Sequence, residues 1–283
     1  MGVDTIVIED SFSKKYTANY DLSILAGMDR FSFVISDQQS NLVALKSYAF
    51  YKSDADKDLA HKLREVHQQD ELLKLPYRHI KVAVVNSDNT FIPNRLYDDK
   101  SPEAYLEKMV DKQATSKIHI DHLDTLKAKN IFLVAQNLAT QIQTFFPAAA
   151  IHHVLSPLIL GLKHVAGHHA DRKVYVHVRD ELAHIILFEA EDMLFANTFN
   201  FKSEKDFIYF VMLVYDQFKL KPEVVPLYFS GFILEDSQIY HQLYRYIRYL
   251  NHLQRPVFYN YGRKINAINE HFFYDLFSFK LCG

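Results

Sequence analysis

A mixed α/β fold built from two related halves is the prediction, and three observations carry it. The order strand, strand, strand, helix occurs twice, offset by about 150 residues. Each copy opens on three short alternating apolar runs joined by tight links, the pattern of an antiparallel meander. Of 283 residues, 49% are hydrophobic and 23% charged, a balance that supports a packed core and excludes a disordered chain. The two copies share pattern rather than residue identity.

Along the chain, residues 1–20 are polar around Ile6-Val7-Ile8 and read as a loose arm or an edge strand. The first meander takes Leu22-Ser23-Ile24-Leu25, then Phe31, Phe33 and Ile35, then a run over 42–50. The helix that follows has Ser53 or Asp54 as its N-cap and sets Leu59, Leu63 and Val66 on one face before Pro76. Next come a strand at 80–85, a helix opened by Ser101-Pro102, and strands near 118–120 and 131–134. A helix with Leu138, Ile142 and Phe145 stops at Pro147, and a short strand at 149–151 precedes a helix opened by Ser156-Pro157.

The second meander uses Val174, Val176 and Val178, then Ile185 and Leu187, then Leu194, Ala196, Thr198 and Phe199. Ser203-Glu204-Lys205-Asp206 has the form of a capping box, opening a helix with Phe207, Val211, Val214 and Phe218. A strand at 224–229, a helix carrying Ile239, Leu243, Ile247 and Leu250, a strand at 257–259 and a last helix around 265–276 complete the expectation. The polar stretch 167–172 divides the chain into a first half, 1–168, with an insertion around 86–130, and a second half, 169–283.

Formal net charge is -2, from 32 basic and 34 acidic side chains, so the chain has no global bias toward nucleic acid or anionic membrane. Its single cysteine, Cys282, forms no intramolecular disulfide, which fits a reducing compartment; cytoplasmic localisation is expected. No apolar h-region follows Met1 and no run reaches the roughly 18 apolar residues of a membrane span, so neither a secretory signal nor membrane insertion is expected. Only 7 glycines argue against several Gly-rich phosphate cradles.

Asp21-Leu22-Ser23-Ile24, Asp29-Arg30-Phe31-Ser32-Phe33-Val34-Ile35 and Pro226-Leu227-Tyr228-Phe229-Ser230-Gly231 carry a resemblance. With the repeated meander, they resemble the duplicated ribonuclease-H-like fold of the actin, Hsp70 and sugar-kinase superfamily. More narrowly, the chain is similar to an uncharacterised family of Bacteroidetes proteins with an actin-like ATPase fold. That resemblance implies two ribonuclease-H-like halves, each a mixed sheet led by a three-stranded antiparallel meander with flanking helices. It also implies two phosphate loops of the form Asp-x-Gly and an adenosine loop of two small residues.

Each implied site can be read against the sequence. The first phosphate turn is Leu25-Ala26-Gly27, with leucine where the metal-positioning carboxylate belongs and Asp29 two residues beyond the glycine. The second is His177-Val178-Arg179, retaining neither residue, followed by Asp180 and Glu181. The adenosine turn is Ser230-Gly231-Phe232, bulky at its end. If the nucleotide cleft is retained, Gly27, Asp29, Ser230 and Gly231 would bind the cofactor. With the carboxylates missing, no catalytic residue and no cofactor is expected.

Other constellations have simpler readings. His152-His153, His164, His168-His169, His177 and His184 crowd one third of the chain, and His164 with His168 has i, i+4 spacing. No cysteine or His-Glu-x-x-His motif supports a metal, so surface or capping roles are expected and no metal site. Tyr240, Tyr244, Arg245, Tyr246, Arg248 and Tyr249 mix aromatic and basic character, as a single-strand nucleic-acid surface does. Tyrosine and arginine also commonly flank a core stripe such as Ile239, Leu243 and Ile247, so nucleic acid is not the expected partner. Three function classes follow in order: a non-catalytic binding or scaffold protein with a protein partner, a nucleotide-binding ATPase or kinase-like enzyme with altered loops, and a nucleic-acid-binding protein.

Overall fold

Strand pairing follows from the alternation. A computed structural model describes residues 2–51, 58–106, 115–167, 171–179 and 181–282. The elements in chain order are β1 (Gly2–Ile8), β2 (Asp21–Ala26), β3 (Arg30–Ser36), β4 (Asn41–Ala49), α1 (Leu59–Gln69) and β5 (His79–Val84). Then come β6 (Asn89–Pro93), β7 (Ser116–Leu123), β8 (Ala128–Ala135), α2 (Gln136–Phe145), β9 (Ala150–His153) and α3 (Leu155–Ala166). The remainder comprises β10 (Arg172–Arg179), β11 (Leu182–Glu189), β12 (Asp192–Asn200), α4 (Glu204–Gln217), β13 (Leu227–Gly231), α5 (Gln238–Tyr246), β14 (Leu250–His252), β15 (Asn260–Tyr261), α6 (Arg263–Asn266) and α7 (Tyr274–Phe277).

The two principal sheets share one order. In the first, β4-β3-β2 is an antiparallel meander, and β5 and β9 add to β2 in parallel. In the second, β12-β11-β10 is the meander, and β13 and β14 add to β10 in parallel. The duplicated, ribonuclease-H-like architecture is therefore present in the pairing itself. β1 is the edge-strand alternative for the N-terminal segment and lies antiparallel on β4. Between β5 and α2 the chain builds a separate antiparallel sheet of order β6-β8-β7, of which β6 was not anticipated.

Both sheets are covered on two faces, which explains their near-continuous apolar strands. Ile24, Phe31, Phe33 and Val82 face α1 and α2, while Leu25, Val34, Ala83 and Val85 face the C-terminal segment at Phe273, Leu276 and Phe277. Val174, Val176 and Val178 face α4 and α5, and Tyr175, Ile186 and Phe188 face α3. The last helix of each half thus packs on the sheet of the other. These helices cross at Gly161, where a Cβ would collide with the Ser278 side chain, and Tyr274 donates to the Gly161 carbonyl at 3.2 Å.

Several expected elements take other forms. The α5 helix ends at Tyr246 because Ile247 is extended, with φ -112 and ψ 120, and Leu250 belongs to β14 instead. No strand forms at 257–259; the pairing residues are Asn260 and Tyr261, opposite Asn41 and Leu42. The terminal helix is broken, since Phe273 sits in the left-handed region at φ 57 and separates α6 from α7. Strand β13 starts only at Leu227, because the Val224 and Val225 amides turn back to the Lys221 carbonyl. Ser101-Pro102 opens only a short 3-10 turn, Pro102–Tyr105, among the described residues. Helix α1 is capped by Asp58, which accepts from the His61 amide; Ser53 and Asp54 lie outside the described residues. The capping box is present, with Ser203 and Asp206 each accepting from the other's amide.

A buried carboxylate joins the three-stranded sheet to the first half. Asp121 on β7 accepts from the Ser156 hydroxyl at 2.5 Å and the His153 amide at 2.9 Å, and its other oxygen lies 2.8 Å from His152 Nδ1. Asn130 donates to Ser156 at 3.0 Å, and Asn89 to Asn130 at 2.9 Å, so the network reaches β6. Removing the acceptor leaves buried donors unmade. Asp121→Ala is expected to lower stability by about 2–4 kcal/mol in denaturant unfolding, against less than about 1 kcal/mol for the exposed Asp124→Ala. A small loss for Asp121→Ala would show that the joint does not hold the sheets together.

Candidate functional site

The three loops singled out in the sequence converge between the halves. Gly27 lies in the β2–β3 turn, where its amide donates to the Arg30 carbonyl at 3.0 Å. Lys62 of α1 donates to the Met28 carbonyl at 2.7 Å and steadies this turn. Leu25, at the position of the implied carboxylate, is fully buried in the core beneath α7. Asp29 turns its side chain toward the second half.

At the matching β10–β11 turn stands Arg179, only 2% exposed. Its Nη1 donates to Asp275 Oδ2 at 2.9 Å, and its Nε lies 3.8 Å from Asp29 Oδ2. One guanidinium therefore ties the first hairpin, the second hairpin and α7. Burial opposes every charge here. The two carboxylates beside Arg179 nonetheless keep the guanidinium charged and raise its pKa, while His177 and Arg179 hold the Asp275 carboxyl well below the usual range.

The third loop joins the same network. Ser230 is fully buried and lies 2.9 Å from His177 Nδ1, and His177 Nε2 lies 3.1 Å from Asp275 Oδ2. A serine–histidine–carboxylate line is the arrangement that activates a nucleophile. Here the serine has no exposed surface to offer a substrate, so the line acts as a structural relay. Gly231 has φ 87, and a Cβ there would strike the Val178 carbonyl; its role is close backbone contact with β10. Phe232 packs 5.1 Å from both Phe272 and Phe273, and the Arg30 guanidinium sits 4.0 Å above its ring. That pair is a second bridge between the halves.

The remaining space is a cavity of about 270 Å³ bordered by Asp29, Asn86, Ser87, Arg179, Glu181 and Asn200, among others. Small-molecule sites run from about 300 to 1,000 Å³. Its walls set Asp29 and Glu181 beside Arg179, whose Nε and Nη2 have no hydrogen-bond partner among the described residues. Gly27, Asp29, Ser230 and Gly231 are thus brought to one region, but Ser230 and Gly231 are committed to packing and Asp29 to Arg179. Sequence reasoning missed Asp275 and the role of Arg179. A signal existed: in β10, Tyr175, His177 and Arg179 fill the face opposite the three valines.

The histidines are mostly engaged internally. His184 Nδ1 lies 2.8 Å from Thr198 Oγ1, and its ring stacks on His177 at 6.0 Å. His153 Nδ1 accepts from the Leu155 amide at 3.2 Å. His164 meets the Phe258 ring edge-on at 4.9 Å, while His168 and His169 lie outside the described residues, as does Asp180. Among the described residues, no group of three or more metal-ligating side chains is placed to hold an ion.

Two predictions follow from the buried charges. Arg179→Met leaves carboxylates uncompensated and is expected to cost about 3–5 kcal/mol, and Asp275→Asn in the same background to add less than it does alone. Additive losses in the double-mutant cycle would deny the coupling. Burial holds His153 down at about 4 and His184 well below its ordinary value. Both are neutral when folded, so the unfolded chain binds extra protons below about 6.5 and stability falls as pH drops from there toward 4. Each contributes a slope near 1.4 kcal/mol per pH unit, and His153→Gln or His184→Gln is expected to flatten the fall in melting temperature between pH 7 and 5. A melting temperature that rises on acidification would contradict the assignment.

Known structures share this architecture. A Bacteroides thetaiotaomicron VPI-5482 protein, described as having an actin-like ATPase fold and unknown function, is 20% identical, with a TM-score of 0.84 over 96% of this chain and 99% of that one. The PilM–PilN type IV pilus biogenesis complex matches at 12% identity and TM-score 0.60, over 92% and 97%. Ethanolamine utilization protein EutJ from Carboxydothermus hydrogenoformans matches at 10% and 0.53, over 98% and 93%. No curated protein matches the chain in sequence. The fold is that of the actin-like ATPases. Residues 9–250 match the family described as "Protein of unknown function (DUF3822)", and the chain belongs to that family.

Proposed function

We propose that this chain is a non-catalytic binding or scaffold protein on an actin-like frame. The observation that carries the reading is Arg179, buried at the second hairpin and engaged by Asp275 and Asp29. A triphosphate with magnesium needs carboxylates free to position the metal and donors free to meet phosphate. Here the one nearby carboxylate of the first hairpin faces an arginine, and Phe232 occupies the adenosine turn beneath Arg30. Fold alone does not assign function, so the reading rests on these side chains.

The partner class is protein. One structure that shares the fold is a complex of two pilus-biogenesis proteins, and an equivalent role suits a chain whose cleft is narrowed by Arg179 and Phe232. Exposed Tyr244, Tyr246 and Tyr249, beside Arg245 and Arg248, supply the residue types that anchor protein interfaces. Reducing cytoplasm is the matching compartment, given the single buried thiol of Cys282. Among the described residues, no helix is long and apolar enough to cross a membrane.

Isothermal titration with Mg-ATP tests the reading. No binding tighter than about 100 μM, or roughly -5.5 kcal/mol, is expected. Tighter binding accompanied by phosphate release would establish the nucleotide enzyme instead.

A further inference from the structure

A groove of about 750 Å³ runs between the three-stranded sheet and the second half. One bank is β6 and the other is β12, and each is the terminal strand of its sheet. Their phases can be read from the ladders. Leu133 N–H donates to Asp88 O and Asn94 N–H to Lys127 O, so the alternate residues Asn89 and Phe91 turn their amides and carbonyls away from β8. On β12, Phe201 N–H donates to Glu181 O, and the register with β11 leaves Ala196 facing outward. Asn89, Phe91 and Ala196 all line the groove.

The floor between these banks is apolar. Phe91, Leu126, Met193 and Ala196 pack on the α3 core cluster and remain partly exposed. The strands approach at one end, where Asn200 donates to the Ser87 hydroxyl at 3.4 Å. At the other end Lys127 stands beside the first bank and Glu191 and Asp192 on the second, while Lys163 of α3 donates to the Thr125 carbonyl at 2.5 Å. An occupant therefore meets backbone donors and acceptors on both sides, an apolar floor, and opposite charges at the mouth.

The geometry points to a docking site for an extended segment of a partner protein. About five residues, at about 3.3 Å each, match the length of β6. The segment adds as a strand to both edges and joins the two sheets, with alternate apolar side chains on the floor and an acidic residue at Lys127. This identification of the site rests on the reading of the chain as a protein-binding molecule.

The probe is a synthetic peptide of about seven residues alternating valine and threonine, with glutamate at one end, added to the full chain and followed by amide NMR. Shift changes confined to β6 and β12, with slowed exchange at the Asn89, Phe91 and Ala196 amides, are expected. Ala196→Pro removes an edge donor and abolishes binding. The exposed Lys127→Glu, which leaves the fold untouched, weakens binding about threefold, and a lysine-ended peptide restores it. No binding at millimolar peptide, shifts elsewhere, or pairing of two copies of the chain along β12 would overturn the site. If Mg-ATP also fails to bind, the non-catalytic reading survives that outcome; only tight Mg-ATP binding with phosphate release removes it.

Discussion

A guanidinium cannot be left unpaired in a protein interior, and that requirement organises the centre of this molecule. Isolated burial of a charge costs several kcal/mol even after relaxation. Arg179 escapes that cost only while Asp275 of α7 and Asp29 of the first hairpin stand beside it. Both conditions need the halves to be closed and the last helix to be seated. The exchanged packing of α3 and α7 supplies the apolar surface that seats them. Electrostatics selects the arrangement, and hydrophobic burial supplies the larger share of its stability.

The same residues account for the character of the cleft. In an actin-like frame the two meander turns face each other across the site where phosphates and metal would be held. Here that space holds an ion-paired arginine, and the neighbouring turn holds a phenylalanine under Arg30. Asp275 takes one hydrogen bond from that arginine, while its Nε and Nη2 have no hydrogen-bond partner among the described residues. Outside the cleft, Tyr244, Tyr246 and Tyr249 are exposed, and β6 and β12 border a groove.

The histidines that crowd one third of the sequence are expected there in surface or capping roles. In the folded chain the central ones act as neutral, hydrogen-bonding core groups. His184 pairs with Thr198, and His153 with the Leu155 amide and Asn86. A buried neutral imidazole offers one donor and one acceptor without a charge to solvate. His153 uses both ring nitrogens, whereas His184 Nε2 has no hydrogen-bond partner among the described residues. The linear sequence shows the residue type but not the partner that makes it inert.

Local periodicity was sufficient for the two meanders and the bodies of the first four helices, and the Ser203–Asp206 box was legible as a cap. The other starts were not, since Asp58 rather than Ser53 or Asp54 caps α1 and Ser156-Pro157 lies inside α3, which begins at Leu155. The glycine of the first turn and the leucine in place of its carboxylate were equally legible. Tertiary structure alone decided the rest. Arg179 and Asp275 are separated by 96 residues, and nothing in the spacing of either announces the other. The cut at Phe273, the early end of α5 and the two-residue strand β15 are likewise set by what each segment packs against. Alternation states which face of a strand is buried; only the assembled sheets state against what.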